Sequence, residues 1–168
     1  MDIRIRALEP SDAKYLYDAE NDHSLWGVSG TVAPYSLHAL SKYAESYDAD
    51  PFASGQLRLV ITGTDGSDPV GLLDFYDISL LHAHAWVGIY IRPEFRRQGA
   101  ALAALKFAAA YAHKRLKLKQ LAAKVLRSST DSLALFRRAG YDSRGVLTGW
   151  YFADGVMQDV ELLTLPLS

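Results

Sequence analysis

In Pro93–Leu116, PEFRRQGAALAALKFAAAYAHKRL, basic and small residues pass without a break into an alanine-rich segment. Pro93 cannot donate to a sheet ladder, and Gly99 can adopt backbone angles that other residues avoid. These residues therefore predict the end of a strand, a tight loop and the start of a helix in immediate succession. The first helical turn contains no Asp or Glu, although acidic residues there would complement the helix dipole.

A helix that starts in this way predicts a binding site for an anion. Free backbone N–H groups and the positive end of the dipole lie together at the helix start. Arg96 and Arg97 add formal positive charge at the same place, which favours a phosphate group. The spacing matches neither the dinucleotide nor the nucleoside-triphosphate glycine motif. The alternative interpretation is a solvated basic turn in which Gly99 only eases the bend.

The elements around this loop alternate in type. Residues 3–8 alternate apolar and charged side chains, which predicts a half-buried strand, and a helix is expected to begin at Pro10 or Ser11. Apolar residues recur at helical spacing behind Ser36, which predicts a second helix with Ser36 as its cap. Three apolar runs at 56–63, 69–78 and 84–93 are typical of an antiparallel meander.

The C-terminal half continues the alternation. The alanine-rich helix is expected to bury Leu102, Leu105, Ala109 and Ala112. A short strand at 119–126 and a helix capped by Ser129 or Thr130 and closed by Gly140 follow. A terminal hairpin turns at 153–155. The predicted order is β α α β β β α β α β β, an α/β (α+β) fold with a mixed, mostly antiparallel sheet flanked by helices.

Composition narrows the class of protein. The chain has 168 residues, of which 49% are hydrophobic and 22% are charged, with a net charge of -1, which predicts one globular domain spanning 1–168. No apolar run is long enough for a bilayer and no secretion signal is visible, so we expect a cytoplasmic protein without membrane contact. The absence of cysteine excludes thiol nucleophiles, and the balanced charge argues against nucleic acid as a partner.

Three blocks of the sequence resemble the GNAT N-acetyltransferases, which use acetyl coenzyme A. RRQGAA fits the family's Q/R-x-x-G-x-G/A loop with Arg96, Gly99 and Ala101. STDSLALFRRAGY is similar to N-x-x-A-x-x-x-Y-x-K-x-G-F, and GVLTGWYFADGVMQDVELLTL is similar to the terminal strand, turn and strand. The N-terminal block resembles the branch that contains ribosomal-protein N-terminal and spermidine N-acetyltransferases. The resemblance covers almost the whole chain.

The resemblance implies a site for acetyl-CoA. The pantetheine arm would lie beside a splayed strand and bond to backbone groups of Ile89, Tyr90 and Ile91. The next helix would approach the pantetheine through Ser129, Ser132 and Phe136. The residues implied in holding the pyrophosphate, mainly through backbone N–H groups, are Arg96, Arg97, Gln98, Gly99, Ala100 and Ala101.

The implied reaction is the direct attack of a neutral primary amine on the thioester in a ternary complex, without a covalent enzyme intermediate. Glu20 and Asp74 are the candidate general bases. His82 and His84 share one face near the start of a strand, which is expected to lie away from the reacting carbonyl. The two histidines lack a third ligand nearby, so no metal site is predicted.

Acidic and aromatic residues suggest a cationic acceptor, because ion pairs and cation–π contacts both bind an ammonium group. Asp74, Asp77, Trp150 and Tyr151 are further candidates for this cleft. The acceptor remains open among a polyamine, another small amine and a protein N-terminus, and formation of a homo-oligomer is also open. The residues predicted to bind the acceptor are Glu20, Asp22, Trp26, Tyr35 and Tyr76.

One position departs from the family pattern. Many relatives have a tyrosine that is thought to protonate the leaving thiolate, but Phe136 stands at that position, and Ser129 replaces the asparagine of the same motif. A phenyl ring cannot donate a proton. The thiolate would leave unaided, another group would supply the proton, or the chain would be a non-catalytic acyl-CoA-binding or regulatory domain.

Overall fold

The computed structural model describes residues 1–66 and 68–168, and within them seven strands form one sheet in the order β1-β2-β3-β4-β5-β7-β6. The strands are β1 Ile3–Ala7, β2 Leu57–Gly63, β3 Pro69–Ser79, β4 His84–Ile91, β5 Gln120–Leu126, β6 Asp142–Ala153 and β7 Val156–Pro166. Neighbouring strands are antiparallel except for β4 and β5, which are parallel. The predicted fold class is therefore confirmed.

The helices occupy the predicted positions, with two additions. They are α1 Ala13–Glu20, α2 Trp26–Ser29, α3 Leu37–Glu45, α4 Pro51–Ser54, α5 Ala100–Lys114 and α6 Thr130–Arg138. Short 3-10 turns lie at Pro10–Asp12, His23–Leu25 and Pro93–Phe95. The sequence analysis missed α2 and α4, because a helix of four residues is too short to show a periodic pattern. In the described residues, no helix has the length and apolar character needed to span a membrane.

Helix α5 packs its smallest residues against the sheet. Ala104, Ala108 and Ala112 are fully buried with Ala100 and Leu105, in the same core as Leu73, Phe75 and Leu121 of the strands. Alanines four residues apart lie on one face and let the helix approach the sheet closely. The predicted burial of Leu105 and Ala112 is confirmed. The predictions for Leu102 and Ala109 were wrong, because both are only half-buried beside this row.

The opposite face of the sheet is covered by the N-terminal helices. Leu16 of α1 and Leu40 of α3 pack with Val60 and Leu72 of the sheet in a second core. Ser36 caps α3, as predicted, since its side chain accepts a hydrogen bond of 3.0 Å from the N–H of Ala39. The helices α1 and α3 of this layer pack on the first strands of the sheet, while α2 contacts β6 at the other end.

A buried ion pair fixes the start of this layer. Asp12 is 3% exposed and accepts two hydrogen bonds of 2.8 Å from Arg6 and one of 2.8 Å from the N–H of Glu9. Burial opposes ionisation of Asp12, but these hydrogen bonds outweigh burial and hold the pKa of its carboxyl below the ordinary value. The pair therefore joins β1 to the turn before α1.

Asp12→Asn is expected to lower the free energy of unfolding by about 1–2 kcal/mol at neutral pH. A carboxyl whose pKa is depressed by folding stabilises the protein above its unfolded value, and this contribution disappears as the pH falls below about 3.9. Urea denaturation of the wild type and of Asp12→Asn should therefore show a difference in the free energy of unfolding that becomes smaller at acidic pH. Asp18→Asn breaks the exposed Lys14–Asp18 pair and should change stability by less than about 0.5 kcal/mol. A difference between Asp12→Asn and wild type that does not depend on pH would contradict the prediction.

Candidate functional site

The sheet opens between β4 and β5. The two strands pair only at His84–Gln120, Ala85–Leu121 and Trp86–Ala122, and the described residues contain no pairing between them beyond Trp86. Backbone groups of the rest of β4 that point towards β5 are therefore available to an extended ligand. Ile89, Tyr90 and Ile91, which the sequence analysis proposed as pantetheine contacts, all lie along this opening.

The opening leads to the loop that connects β4 to α5. Gly99 is the N-cap of α5 with φ 87°, and Arg97 is also in the left-handed region with φ 60°. Within residues 1–66 and 68–168, the N–H groups from Arg97 to Ala101 have no hydrogen-bond acceptor. Free N–H groups at the positive end of a helix dipole favour an anion, as the sequence analysis predicts for this loop, and we call residues 97–101 the anion loop.

The arginines of this loop have different surroundings. Arg96 donates from Nε to the carbonyl of Ile91 at 2.9 Å, so its side chain fastens the loop to the end of β4. Arg97 pairs with Asp131 at the start of α6 over 2.7 Å, and these side chains are 84% and 85% exposed. An exposed pair contributes little and can be exchanged for another anion. Asp131 itself belongs to the first turn of α6, so this pair joins the loop before α5 to the start of α6.

Helix α6 reaches the core beneath the loop. Ser129 and Ser132 are half-buried at its start, and Phe136 is buried. The ring of Phe136 meets the ring of Tyr141 edge to face, with 5.1 Å between centroids. Burial raises the pKa of the Tyr141 hydroxyl, which has no hydrogen-bond partner in the described part of the chain. The motif position of Phe136 is thus occupied by an aromatic ring that cannot donate a proton.

On the face of the sheet that α1 and α3 cover, the missing side chain of Gly88 leaves a gap beside Asp74 and Tyr76, which we call the depression. Arg58, Asp74 and Gly88 stand side by side on β2, β3 and β4, and Tyr76 and Trp86 form the next row. A Cβ at Gly88 would lie 3.8 Å from Tyr76 Cε1 and 4.0 Å from Asp74 Cβ. Gly88 therefore leaves a gap the size of a Cβ on β4, two residues beyond the last pair with β5.

Arg58 links the two candidate bases. Its guanidinium donates to Glu20 at 2.7 Å and to both carboxylate oxygens of Asp74 at 2.8 and 2.9 Å. Burial would lower the pKa of Arg58, but Asp74 and Glu20 outweigh burial and raise it. The structure brings Glu20 and Asp74 together, yet each already has a cationic partner. A proton accepted by either carboxylate would weaken this network.

Arg58 and Lys124 are the two residues of this face that the sequence analysis missed. Lys124 of β5 places Nζ 4.3 Å from the centroid of the Trp86 ring. Arg58 is the half-buried charged residue of β2, LRLVITG, and Lys124 is that of β5, QLAAKVL. Both strands are otherwise mostly apolar. A single charged residue is unusual in a strand that packs against other elements. The sequence pattern therefore contained a signal that could have identified both Arg58 and Lys124.

Three of the other predicted acceptor residues make local contacts in the segment after α1, and the fourth, Tyr76, lies beside Gly88. Asp22 caps the turn before α2 by accepting from the N–H of Ser24 at 3.0 Å. Trp26 donates from Nε1 to the carbonyl of Glu20 at 3.0 Å. Tyr35 is exposed, and its N–H donates to Asn21 at 2.8 Å. Burial, with smaller effects from Tyr151, Asp77 and Asp74, raises the pKa of Tyr76 to about 12.

Several candidates lie away from the depression. His82 and His84 stack with 6.0 Å between centroids where β4 begins, at the opposite end of that strand from the anion loop. Asp77 and Trp150 are exposed. Tyr151 of β6 is half-buried and contributes to the electrostatic environment of Tyr76. The structure therefore groups the charged candidates on α1 and β3 and separates them from the histidines.

Comparison with known proteins agrees with this geometry. The family model described as an acetyltransferase (GNAT) domain matches residues 2–142. Spermidine N(1)-acetyltransferase of Escherichia coli K12 is 27% identical over 153 residues, which are 91% of this chain and 80% of that protein. The same enzyme of Vibrio cholerae is 23% identical over 159 residues, covering 95% of this chain and 90% of that protein.

A solved structure shows the same fold. The crystal structure of spermidine N-acetyltransferase from Vibrio cholerae in complex with CoA and spermine superposes with a TM-score of 0.87 at 22% identity, covering 98% of this chain and 95% of that chain. The family match covers the loop, the opening and α6 in one continuous segment. The chain belongs to the GNAT family of acetyltransferases, enzymes that take an acetyl group from acetyl-CoA.

Proposed function

We propose that this chain, as one N-acetyltransferase domain, transfers the acetyl group of acetyl-CoA to a primary amine of a small molecule. The observation that carries the proposal is that β4 and β5 stop pairing after Trp86, which leaves backbone groups of β4 unpaired between Gly88 and the loop at Gly99. The spermidine acetyltransferases among its relatives make amines the first acceptor class to test. A peptide N-terminus is the alternative acceptor.

In this proposal the backbone N–H groups from Arg97 to Ala101 hold the pyrophosphate of acetyl-CoA. Backbone groups of Ile89, Tyr90 and Ile91 would hold the pantetheine arm. Bound acetyl-CoA would supply an activated acetyl carbonyl, and Asp74 and Tyr76 would lie on the acceptor side of it. The residues around Gly88 position the amine, exclude bulk water and receive the ammonium proton through the carboxylate network or a water molecule.

The amine attacks the thioester carbonyl, a C–N bond forms, and the C–S bond breaks as the thiolate departs. A thiol with a pKa of about 8.5 is a fair leaving group at neutral pH. The reaction therefore does not require a tyrosine at position 136. The buried ring of Phe136 would instead pack against the arm of the cofactor and keep water from it.

The test measures release of CoA thiol from acetyl-CoA with a panel of primary amines. The chain contains no cysteine, so the protein gives no background with a thiol reagent. Mass spectrometry of the amine product distinguishes transfer from hydrolysis. Acetylation of at least one small amine above the hydrolysis rate supports the proposal. CoA binding without transfer to any amine or peptide would favour the non-catalytic alternative, which the absence of a tyrosine at position 136 motivates.

Phe136→Tyr is expected to keep kcat or to raise it by about a hundredfold, the lower end of the range that a positioned general acid contributes. Phe107→Tyr on the outer surface of α5 is the matched control and should leave kcat unchanged. The measurement is kcat with the best amine, together with the CoA dissociation constant of each variant. A large fall in kcat for Phe136→Tyr with unchanged CoA affinity would show that residue 136 does not lie beside the sulfur.

A further inference from the structure

Two features of the depression would attract a cationic amine, and the chain occupies both with its own cations. The first feature is the carboxylate pair of Glu20 and Asp74. Arg58 lies between them with three hydrogen bonds of 2.7 to 2.9 Å, and the side chains of the three residues are only 20% to 28% exposed. A guanidinium held by two carboxylates neutralises most of the attraction that this pair would have for a ligand cation.

The second feature is the face of Trp86, which is covered by Lys124. Trp86 belongs to the last paired row before β4 and β5 separate, opposite Ala122, and Lys124 follows Ala122 by two residues on the same face. Its ammonium stands 4.3 Å from the ring centroid, within the range of a cation–π contact. The Lys124 ammonium therefore already occupies the face of the Trp86 ring on which a second ammonium group of a substrate would stack.

These contacts decide which amine the site accepts. Gly88 lies two residues beyond Trp86, and Lys124 lies two residues beyond its partner Ala122, so both follow the last paired row of β4 and β5. An acceptor at Gly88 would therefore approach the Lys124 ammonium, which stands over the Trp86 ring. The reacting amine is neutral when it attacks and is not repelled. A second, protonated amine on the same molecule would meet Lys124 or Arg58 in a partly desolvated cleft, where like charges repel more strongly than in water.

From this geometry, and resting on the proposed function, we infer that Lys124 is a specificity-determining residue and that the acceptor is a monoamine with an uncharged remainder. Arg58 and Lys124 act as internal counter-cations that take the place of the additional charges of a polyamine. Tyr76 and Trp86 then provide an apolar wall for the rest of the substrate, since their rings stack with 6.5 Å between centroids.

The test compares pentylamine with cadaverine, a diamine of the same carbon chain length, as acceptors for the wild type and for Lys124→Met. For the wild type, kcat/KM should be about tenfold higher for pentylamine than for cadaverine. For Lys124→Met the ratio of these two values should fall by about tenfold or more, which removes or reverses the preference. The shift should appear mainly in KM for cadaverine. Lys114→Met at the end of α5 is the matched control and should leave the preference unchanged.

The outcomes separate the inference from the proposed function. Transfer to both amines with the same preference in wild type and Lys124→Met would overturn the inference and leave the proposed function standing. Lys124→Gln provides a second neutral variant if Lys124→Met does not fold, and a preference unchanged in Lys124→Gln would overturn the inference equally. Absence of transfer to any amine in the wild type, with CoA bound, would overturn the proposed function and the inference with it.

Discussion

Gly99→Glu is expected to lower the affinity for CoA about a hundredfold, or about 2.7 kcal/mol, while the protein remains folded. A Cβ at Gly99 would meet only the Met1 nitrogen at 3.9 Å, so the free protein has room for a side chain. A carboxylate at a helix start is favourable for the helix itself. The loss would arise because the carboxylate competes with the pyrophosphate for the free N–H groups and repels it.

Two controls separate charge from backbone strain. Gly55 has φ 71°, close to the 87° of Gly99, and its Cβ would meet nothing nearer than 3.9 Å. Gly55→Glu should therefore carry a similar conformational cost without affecting CoA affinity. Gly99→Gln introduces a side chain of the same size without the negative charge. Its affinity for CoA should therefore lie between that of Gly99→Glu and that of the wild type. Titration calorimetry with CoA and a thermal melt of each variant provide the measurement; equal CoA affinity in wild type and folded Gly99→Glu would refute the assignment of the loop.

Arg58→Met is expected to lower the free energy of unfolding by about 2–3 kcal/mol at neutral pH, because it leaves two carboxylates without their cation. Glu20 and Asp74 are 20% and 28% exposed, so partial hydration places the loss at the lower end of the range for buried pairs. Without Arg58, two partly buried negative charges face each other unpaired, and acid removes such charges. The destabilisation should therefore shrink as the pH falls towards the carboxyl range.

The same experiment has an internal rescue. Adding Glu20→Gln and Asp74→Asn to Arg58→Met removes the unpaired charges and should recover a large part of the lost stability. Lys14→Met removes an exposed cation from the pair with Asp18 and should change stability by less than about 0.5 kcal/mol. Urea denaturation at several pH values measures all of these variants. An Arg58→Met protein as stable as wild type at neutral pH would show that the network contributes nothing net.

The fold was predictable because its main signals are local. Ser36 before a periodic apolar segment marked the start of α3, and the bond from Ala39 confirms it. Gly140, with φ 96°, marked the end of α6, and the glycine at 155, with φ 78°, marked the turn of the terminal hairpin. Caps and turns depend on a few neighbouring residues, so their residue types are visible in the sequence.

The buried face of α5 was harder to predict. Its side chains are apolar almost all round, and alanines at 104, 108 and 112 have little periodic contrast with their neighbours. When the side chains around a helix have nearly equal hydrophobicity, the helix can bury any of several faces against a sheet with similar free energy. The choice therefore depended on how closely the helix can approach the strands, which is a property of packing and not of hydropathy.

The sequence by itself determined the order of the elements, the loop before α5 that we propose for the pyrophosphate, and the family resemblance, because each depends on residues within a few positions of one another. Only the tertiary structure decided the electrostatics of the acceptor side. Arg58 lies 38 residues from Glu20 and 16 from Asp74 along the chain, and Lys124 reaches Trp86 across a gap between parallel strands. Charges attract through space whatever their separation in sequence, so which acid meets which cation is fixed only when the sheet has assembled.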